Sequence, residues 1–306
     1  MRMIVKQRQA GLSLVELMIA MTLGILLMLG VTQVFLSSKA TYVSNQQLSQ
    51  IQESGRFAME FLTRDIRNAG YKGQCIDSPR NHIATNVNDL WSRPEGAVWG
   101  WQSGGSAPLA GISAQSNGLF IQFAAGGNES FDGVPANTAG EPEVKWGSTL
   151  LSSPVKMGDI ALIADGQGCD LFEIESISDN SIVRKGNLHW SHNYTSSFEL
   201  LRLESLAYYV VDDEQGTPTL YRSHFNNELK MDETHVLVPG VRAMQFEYGV
   251  GLDADFKRGV ITKYVTAKDV ENWEAVLAVR VTLTIEAASG LQKDFSTLIG
   301  LRNRLP

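Results

Sequence analysis

The chain has 306 residues, 43% of them hydrophobic and 19% charged, an ordinary globular composition that excludes a disordered or fibrous chain. Its net charge is −7, with 26 Lys and Arg against 33 Asp and Glu, and no basic patch suits nucleic acid as a partner. Three of the basic residues, Arg2, Lys6 and Arg8, precede Gly11; without them 23 basic side chains remain against 33 acidic ones, a net −10. Such an acidic remainder argues for soluble exposure and against wide contact with an anionic membrane.

Residues 1–11 are short and polar and read as a leader. From Leu12 to Leu36 the chain is apolar for long enough to span a membrane once. Arg2, Lys6 and Arg8 hold its N-terminus on the cytoplasmic side by the positive-inside rule, which puts the bulk of the chain outside. Glu16 is the anomaly in this span. An ionised group near a bilayer core costs roughly 2.5–3.5 kcal/mol, so one usually marks a functional contact. Thr22, Gly24, Gly30, Thr32 and Gln33 lower the hydrophobicity and would let another helix approach closely. An ordinary secretory signal would be cut after its apolar run, yet Phe35–Ala40 is a mediocre site. A permanent signal anchor explains the span and the charges but neither Gly11 nor Glu16.

Beyond the span Leu48, Ile51, Ala58, Leu62 and Ile66 recur at helical spacing, and no proline occurs before Pro79. Asn68-Ala-Gly70 supplies a stop, with Arg64 and Arg67 in the last turns. One helix is therefore expected over about 12–69, roughly 85 Å long at 1.5 Å per residue. Its first half, 12–36, would lie in the membrane, and its second half, 37–70, on a domain. Gly55 is expected to bend or weaken it.

Residues 71–158 are rich in Gly, Ser, Asn and Pro and read as long loops around one strand, Gly118–Phe123. Trp99 and Trp101 offer either a partner surface or a cover for a loop-rich core. After Gly158 strand signals become regular: 159–165, 169–177, 200–211, 219–222, 236–238, 241–248 and 276–285. Successive strands with turn signals and little helix indicate an antiparallel sheet in 71–306, so the fold class is α+β.

Cys75 and Cys169 are the two cysteines, and both follow the apolar run. Export to an oxidising compartment favours a disulfide between them; two buried thiols are the alternative. No catalytic, cofactor or metal site is expected. His189 and His192 lack a third ligand at metal spacing, and Asp212-Asp-Glu214, like Asp253 and Asp255, lacks a calcium-loop pattern.

The run Gly11-Leu-Ser-Leu-Val-Glu16 resembles the class III signal of type IV prepilins and pseudopilins, with Leu12 where Phe is most frequent. The resemblance implies cleavage after Gly11 by a prepilin peptidase, N-methylation of Leu12, and an assembly role for Glu16. Tyr208-Tyr-Val-Val, Leu220-Tyr-Arg222, Pro239–Gly249, Trp273, Val276–Arg280 and Leu301-Arg-Asn-Arg304 are similar to the PilW family of type IV pilus minor pilins. Asp165 and Cys169-Asp-Leu-Phe172 also fit that family. The resemblance implies a pilin-like fold, a long helix on a sheet domain. It also implies a non-enzymatic subunit that primes pilus assembly and stays at the tip, supporting twitching motility and adhesion. Implied partners are the peptidase, other minor pilins, the major pilin and a tip adhesin. The expected location is the inner membrane, then the pilus tip. A minor pseudopilin of type II secretion and a signal-anchored periplasmic enzyme are the competing readings.

Overall fold

A computed structural model of the chain describes residues 13–76, 78–83, 97–104, 112, 116–126, 130–147, 155–225, 231–251 and 258–304. The first element is a single helix, α1, Leu14–Asn68. It begins where it does because Ser13 caps it. The Ser13 hydroxyl accepts from the Glu16 backbone N–H at 3.2 Å, and the Ser13 carbonyl accepts from that of Leu17 at 3.2 Å. Ser at the cap and Glu three residues on are the two positions of a capping box, and Glu16 faces the positive end of the helix dipole. The helix stops at Gly70, whose φ of 75° is left-handed backbone that glycine adopts without strain.

The chain divides into two compact units, residues 1–52 and 53–306. The described part of the first is helical from Leu14. Every side chain from Leu14 to Leu36 is exposed, and the helix is long and apolar enough to cross a membrane. Its hydroxyls turn back onto the backbone: Thr22 donates to the carbonyls of Met18 and Ile19, and Thr32 to that of Met28 at 2.7 Å. This satisfies both hydroxyls without an outside partner.

The second unit holds the last turns of α1 and fifteen described strands. In chain order these are β1 (Arg80–Asn81), β2 (Val98–Trp101), β3 (Gly118–Ala125), β4 (Ser130–Asp132) and β5 (Glu143–Lys145). Then come β6 (Ile160–Ala164), β7 (Cys169–Ser178), β8 (Ser181–Arg184), β9 (Ser197–Asp212) and β10 (Pro218–Phe225). The last are β11 (Met231–Pro239), β12 (Val241–Val250), β13 (Lys263–Val265), β14 (Val276–Glu286) and β15 (Gln292–Gly300). One sheet runs β11-β10-β9-β6-β7-β8-β5, with β3 and β4 also on β9, β2 on β3, and β1 parallel to β7. The other runs β13-β12-β14-β15, all antiparallel.

Strand β9 is the spine of the larger sheet. Its sixteen residues pair with β3, β4, β6 and β10, and its middle residues 205–210 are buried on both faces. The aromatic core beside it joins Phe131, Trp146, Phe172, Trp190, Tyr194 and Phe198. On α1 the buried face carries Ala58, Leu62, Ile66 and Ala69, the helical stripe read from the sequence.

Two expectations change. Residues 71–158 are not one strand among long loops: β1, β2, β4 and β5 lie there too, each two to four residues long and too short to show a period. Gly55 does not weaken α1 without return. A Cβ there would fall on the ring of Phe295, so the missing side chain lets β15 seat that ring against the helix backbone. Trp101 is buried in an aromatic cluster with Phe120 and Tyr209, and Trp99, half-buried, packs against that cluster and on Trp273 at 6.2 Å between ring centres.

Candidate functional site

The N-terminal segment comes first. Glu16 sits in the first turn of α1 with an exposed side chain, and it is the one acidic or basic residue between Leu12 and Ser38. Its backbone N–H is tied to Ser13, and its carboxylate makes no contact among the described residues. Gly24 and Gly30 have open space where a Cβ would stand, so each leaves a notch in the apolar surface. Gly11 and Leu12, like Arg2, Lys6 and Arg8, lie outside the described residues.

The C-terminal end of α1 is fixed by residues from the far end of the chain. The Asn303 side-chain amide donates to the carbonyls of Arg67, Asn68 and Ala69 at 3.4, 3.2 and 3.2 Å, groups that a helix end leaves without internal partners. Arg304 beside it donates to the carbonyls of Trp273 and Val276, and burial pushes its guanidinium down to about 10. The Leu301–Arg304 run is thus a cap on the first helix.

One turn earlier Asp65 carries a buried carboxylate. It accepts from the Tyr208 hydroxyl at 2.6 Å, the Arg222 Nε at 2.9 Å and the Arg64 Nε at 3.1 Å. Burial alone would lower the Arg222 pKa, but Tyr208 and Asp65 hold it above the ordinary value; burial and Asp65 together raise that of Tyr208. A carboxylate on the apolar stripe, between Leu62 and Ile66, was the available sequence signal. It fixes the helix to β9 and β10.

A disulfide joins Cys75 to Cys169, with Cα atoms 5.4 Å apart. It lies in a small apolar cluster with Ala124, Leu162, Leu171 and Leu201. The same segment is held again seven residues on. The backbone N–H of His82 donates to the Leu171 carbonyl at 2.8 Å, and its ring Nε2 lies 2.5 Å from Asp170, both side chains fully buried. Asp170 also accepts from the Ser191 hydroxyl at 2.6 Å, the Ser191 backbone N–H at 3.0 Å and the Tyr194 hydroxyl at 2.6 Å. Burial would raise the Asp170 pKa, and these donors more than offset it, so it stays below the usual carboxylate value.

His189 and His192 do not form a metal pair. His192 bridges Asp165 at 2.9 Å and Ser191 at 2.9 Å. The order Ser191, His192, Asp165 has the look of a hydrolase relay, but the Ser191 hydroxyl gives its proton to Asp170 and so is not poised on the imidazole. Among the described residues no group of three or more His, Cys, Asp or Glu is placed to hold a metal. Asp213 accepts from the backbone N–H groups of Gln215 and Thr217, which makes it a turn former between β9 and β10. Asp253 and Asp255 lie outside the described residues.

A long apolar helix at the N-terminus followed by an antiparallel sheet domain is the α+β arrangement of a pilin-like protein. Two family matches give the relationship more closely. Residues 6–32 match the prokaryotic N-terminal methylation motif, and residues 207–303 match the type IV pilus-assembly protein W family. The two matches support a type IV pilin-like protein of the PilW family, with an N-terminal apolar helix of the kind that anchors such proteins in a membrane. The methylation motif implies processing by a prepilin peptidase and pilus-related partners. No curated protein and no solved structure matches the chain. The region matched at the C-terminus runs from the middle of β9 to Asn303, and so contains Tyr208, Arg222 and the helix cap.

Proposed function

We propose that the protein is a minor pilin that primes type IV pilus assembly and remains at the tip. Prepilin peptidase cuts after Gly11 and methylates Leu12. The new N-terminal amine of one subunit then pairs with the Glu16 carboxylate of its neighbour inside the helix bundle. The observation that carries this reading is the Glu16 carboxylate, without a partner among the described residues, on an apolar helix exposed from Leu14 to Leu36 and inside a methylation motif. A carboxylate moved into an apolar bundle must find a cation or be left costly and alone. The exposed surface from Leu14 to Leu36, notched at Gly24 and Gly30, supports tight packing against other pilin helices. A sheet domain of fifteen described strands suits a capping subunit better than a tightly repeated one. Twitching and adhesion then depend on it through the fibre.

The test is Glu16→Ala expressed at its native level, with surface pili counted by electron microscopy and the protein located by immunogold. The expected result is few or no pili, with wild-type label at fibre ends. Normal pilus numbers with the variant would overturn the pairing, and label spread along the shaft would overturn the tip position.

A further inference from the structure

Four polar side chains interrupt the apolar helix between Leu14 and Leu36: Glu16, Thr22, Thr32 and Gln33. Two of them need nothing from outside. The Thr22 hydroxyl donates to the carbonyls of Met18 and Ile19, and the Thr32 hydroxyl to that of Met28. Glu16 belongs to the amine pairing proposed above. Gln33 is left over: it is exposed, and its amide makes no hydrogen bond among the described residues. A glutamine amide offers two N–H donors and a carbonyl, so a helix bundle that excludes water must supply it with partners or carry the cost of leaving it alone.

Its place on the helix says where those partners come from. Gln33 stands seventeen residues after Glu16. At 1.5 Å rise and 3.6 residues per turn, that is about 25 Å along the axis and about 100° around it. In a bilayer this depth is the outer boundary, where water meets the amide, so insertion does not penalise it. In a bundle it faces a different neighbour from Glu16. Side chains on a helix lean toward its N-terminus, so the Gln33 amide lies over the turn that holds Leu29 and Gly30. Gly30 has nothing within 4 Å of the place where a Cβ would stand, and a partner backbone can come close beside the amide. Leu26, Leu29 and Leu36 flank this spot, each more than half exposed, and no charged residue occurs between Leu17 and Ser38. The face therefore fits an uncharged apolar helix.

We infer that Gln33 is a second assembly contact, its amide hydrogen-bonded to a backbone carbonyl or hydroxyl on the apolar helix of another pilin subunit, beside the Gly30 notch. The inference rests on the pilin-subunit reading above. It gives the helix two polar contacts at two heights and on two faces, so that Glu16 fixes the register of one neighbour and Gln33 that of another.

The test uses the full chain at its native expression level. The variants are Gln33→Leu and, as a near-isosteric control whose hydroxyl serves only its own helix, Thr32→Val. The readouts are mass spectrometry of the N-terminal peptide in membranes, pilus counts by electron microscopy, and photo-crosslinking from benzoylphenylalanine in place of Leu29. Gln33→Leu is expected to be processed and retained in the membrane as the wild type is, while pili fall about threefold or more. The crosslink, to a subunit identified by its own methylated N-terminal peptide, is expected to be lost with it. Thr32→Val should change none of the three. The inference is overturned if Gln33→Leu gives wild-type pilus numbers or keeps the crosslink, or if Thr32→Val is equally damaging. It is also overturned if Gln33→Leu fails in processing or membrane retention, which would assign the amide to insertion. Glu16→Ala separates the two readings. Pili lost there but intact in Gln33→Leu strike this inference alone, whereas pili intact in both strike the pilin pairing as well.

Discussion

Asp65 and Asp170 are the two buried carboxylates whose loss the fold should feel most, because each is surrounded by donors that would be left facing nothing. Removing one partner of such a buried pair costs about 3–5 kcal/mol, far more than the pair contributes net. Asp65→Asn and Arg222→Met should each lower the urea midpoint, and the double variant should lose clearly less than the sum, because the two residues share one contact. Strictly additive losses would show that the pair is not coupled. Asp170 makes a pH prediction. Its folded pKa lies below the ordinary value near 3.9, so its contribution is complete above that value and is lost as pH falls through the folded one. Burial works against Glu204 as well, but its bonds to His224 and Arg202 lower its pKa, and it acts in the same acid window. Asp170→Asn should therefore melt lower than wild type at pH 7 and lose less on acidification to pH 3. Parallel melting curves for both proteins across that range would contradict this.

At the scale of elements, the helix α1 and the strand β15 meet through a missing side chain. Gly55→Ala should destabilise the protein by roughly 1–3 kcal/mol, since Phe295 must move, even though alanine is the better helix former. A more stable Gly55→Ala variant would contradict the close approach. The disulfide closes 94 residues and constrains the unfolded chain by about 4–5 kcal/mol in the loop-entropy picture. Reduction, or Cys75→Ser with Cys169→Ser, should lower the urea midpoint by a matching amount; no change would mean that His82 and β1 already hold the segment. Much of this level was legible beforehand. The stripe Ala58, Leu62 and Ile66 and the stop at Gly70 set the helix, and the successive apolar runs of β7, β9, β12 and β14, with turn signals between strands, set the sheets. The strand β15 escaped because its half-buried face is Lys293, Phe295 and Thr297, which reads as polar surface. The short strands escaped because pairing, not pattern, defines them. The carboxylate anchors escaped because Tyr208, Arg222, Ser191 and Asn303 lie far in sequence from the groups they satisfy.

At the scale of the whole molecule, the two ends of the chain carry the account. The N-terminal motif supplies an exposed apolar helix with one carboxylate, and the C-terminal family match ends on the residue that caps that helix. The Asn303→Ala variant should fray the last turn of α1, seen as faster amide exchange at Asn68 to Tyr71, with β9 and β14 unaffected. Exchange left unchanged there would contradict the cap. In the proposed function processing is the step on which assembly rests, and cleavage after Gly11 would also change the charge by removing Arg2, Lys6 and Arg8. The most direct measurement is mass spectrometry of the N-terminal peptide of the protein from its native membranes. The account predicts a peptide that begins at methylated Leu12 and disappears when the prepilin peptidase is inactivated. An intact Met1, or a cut beyond Leu36, would contradict it.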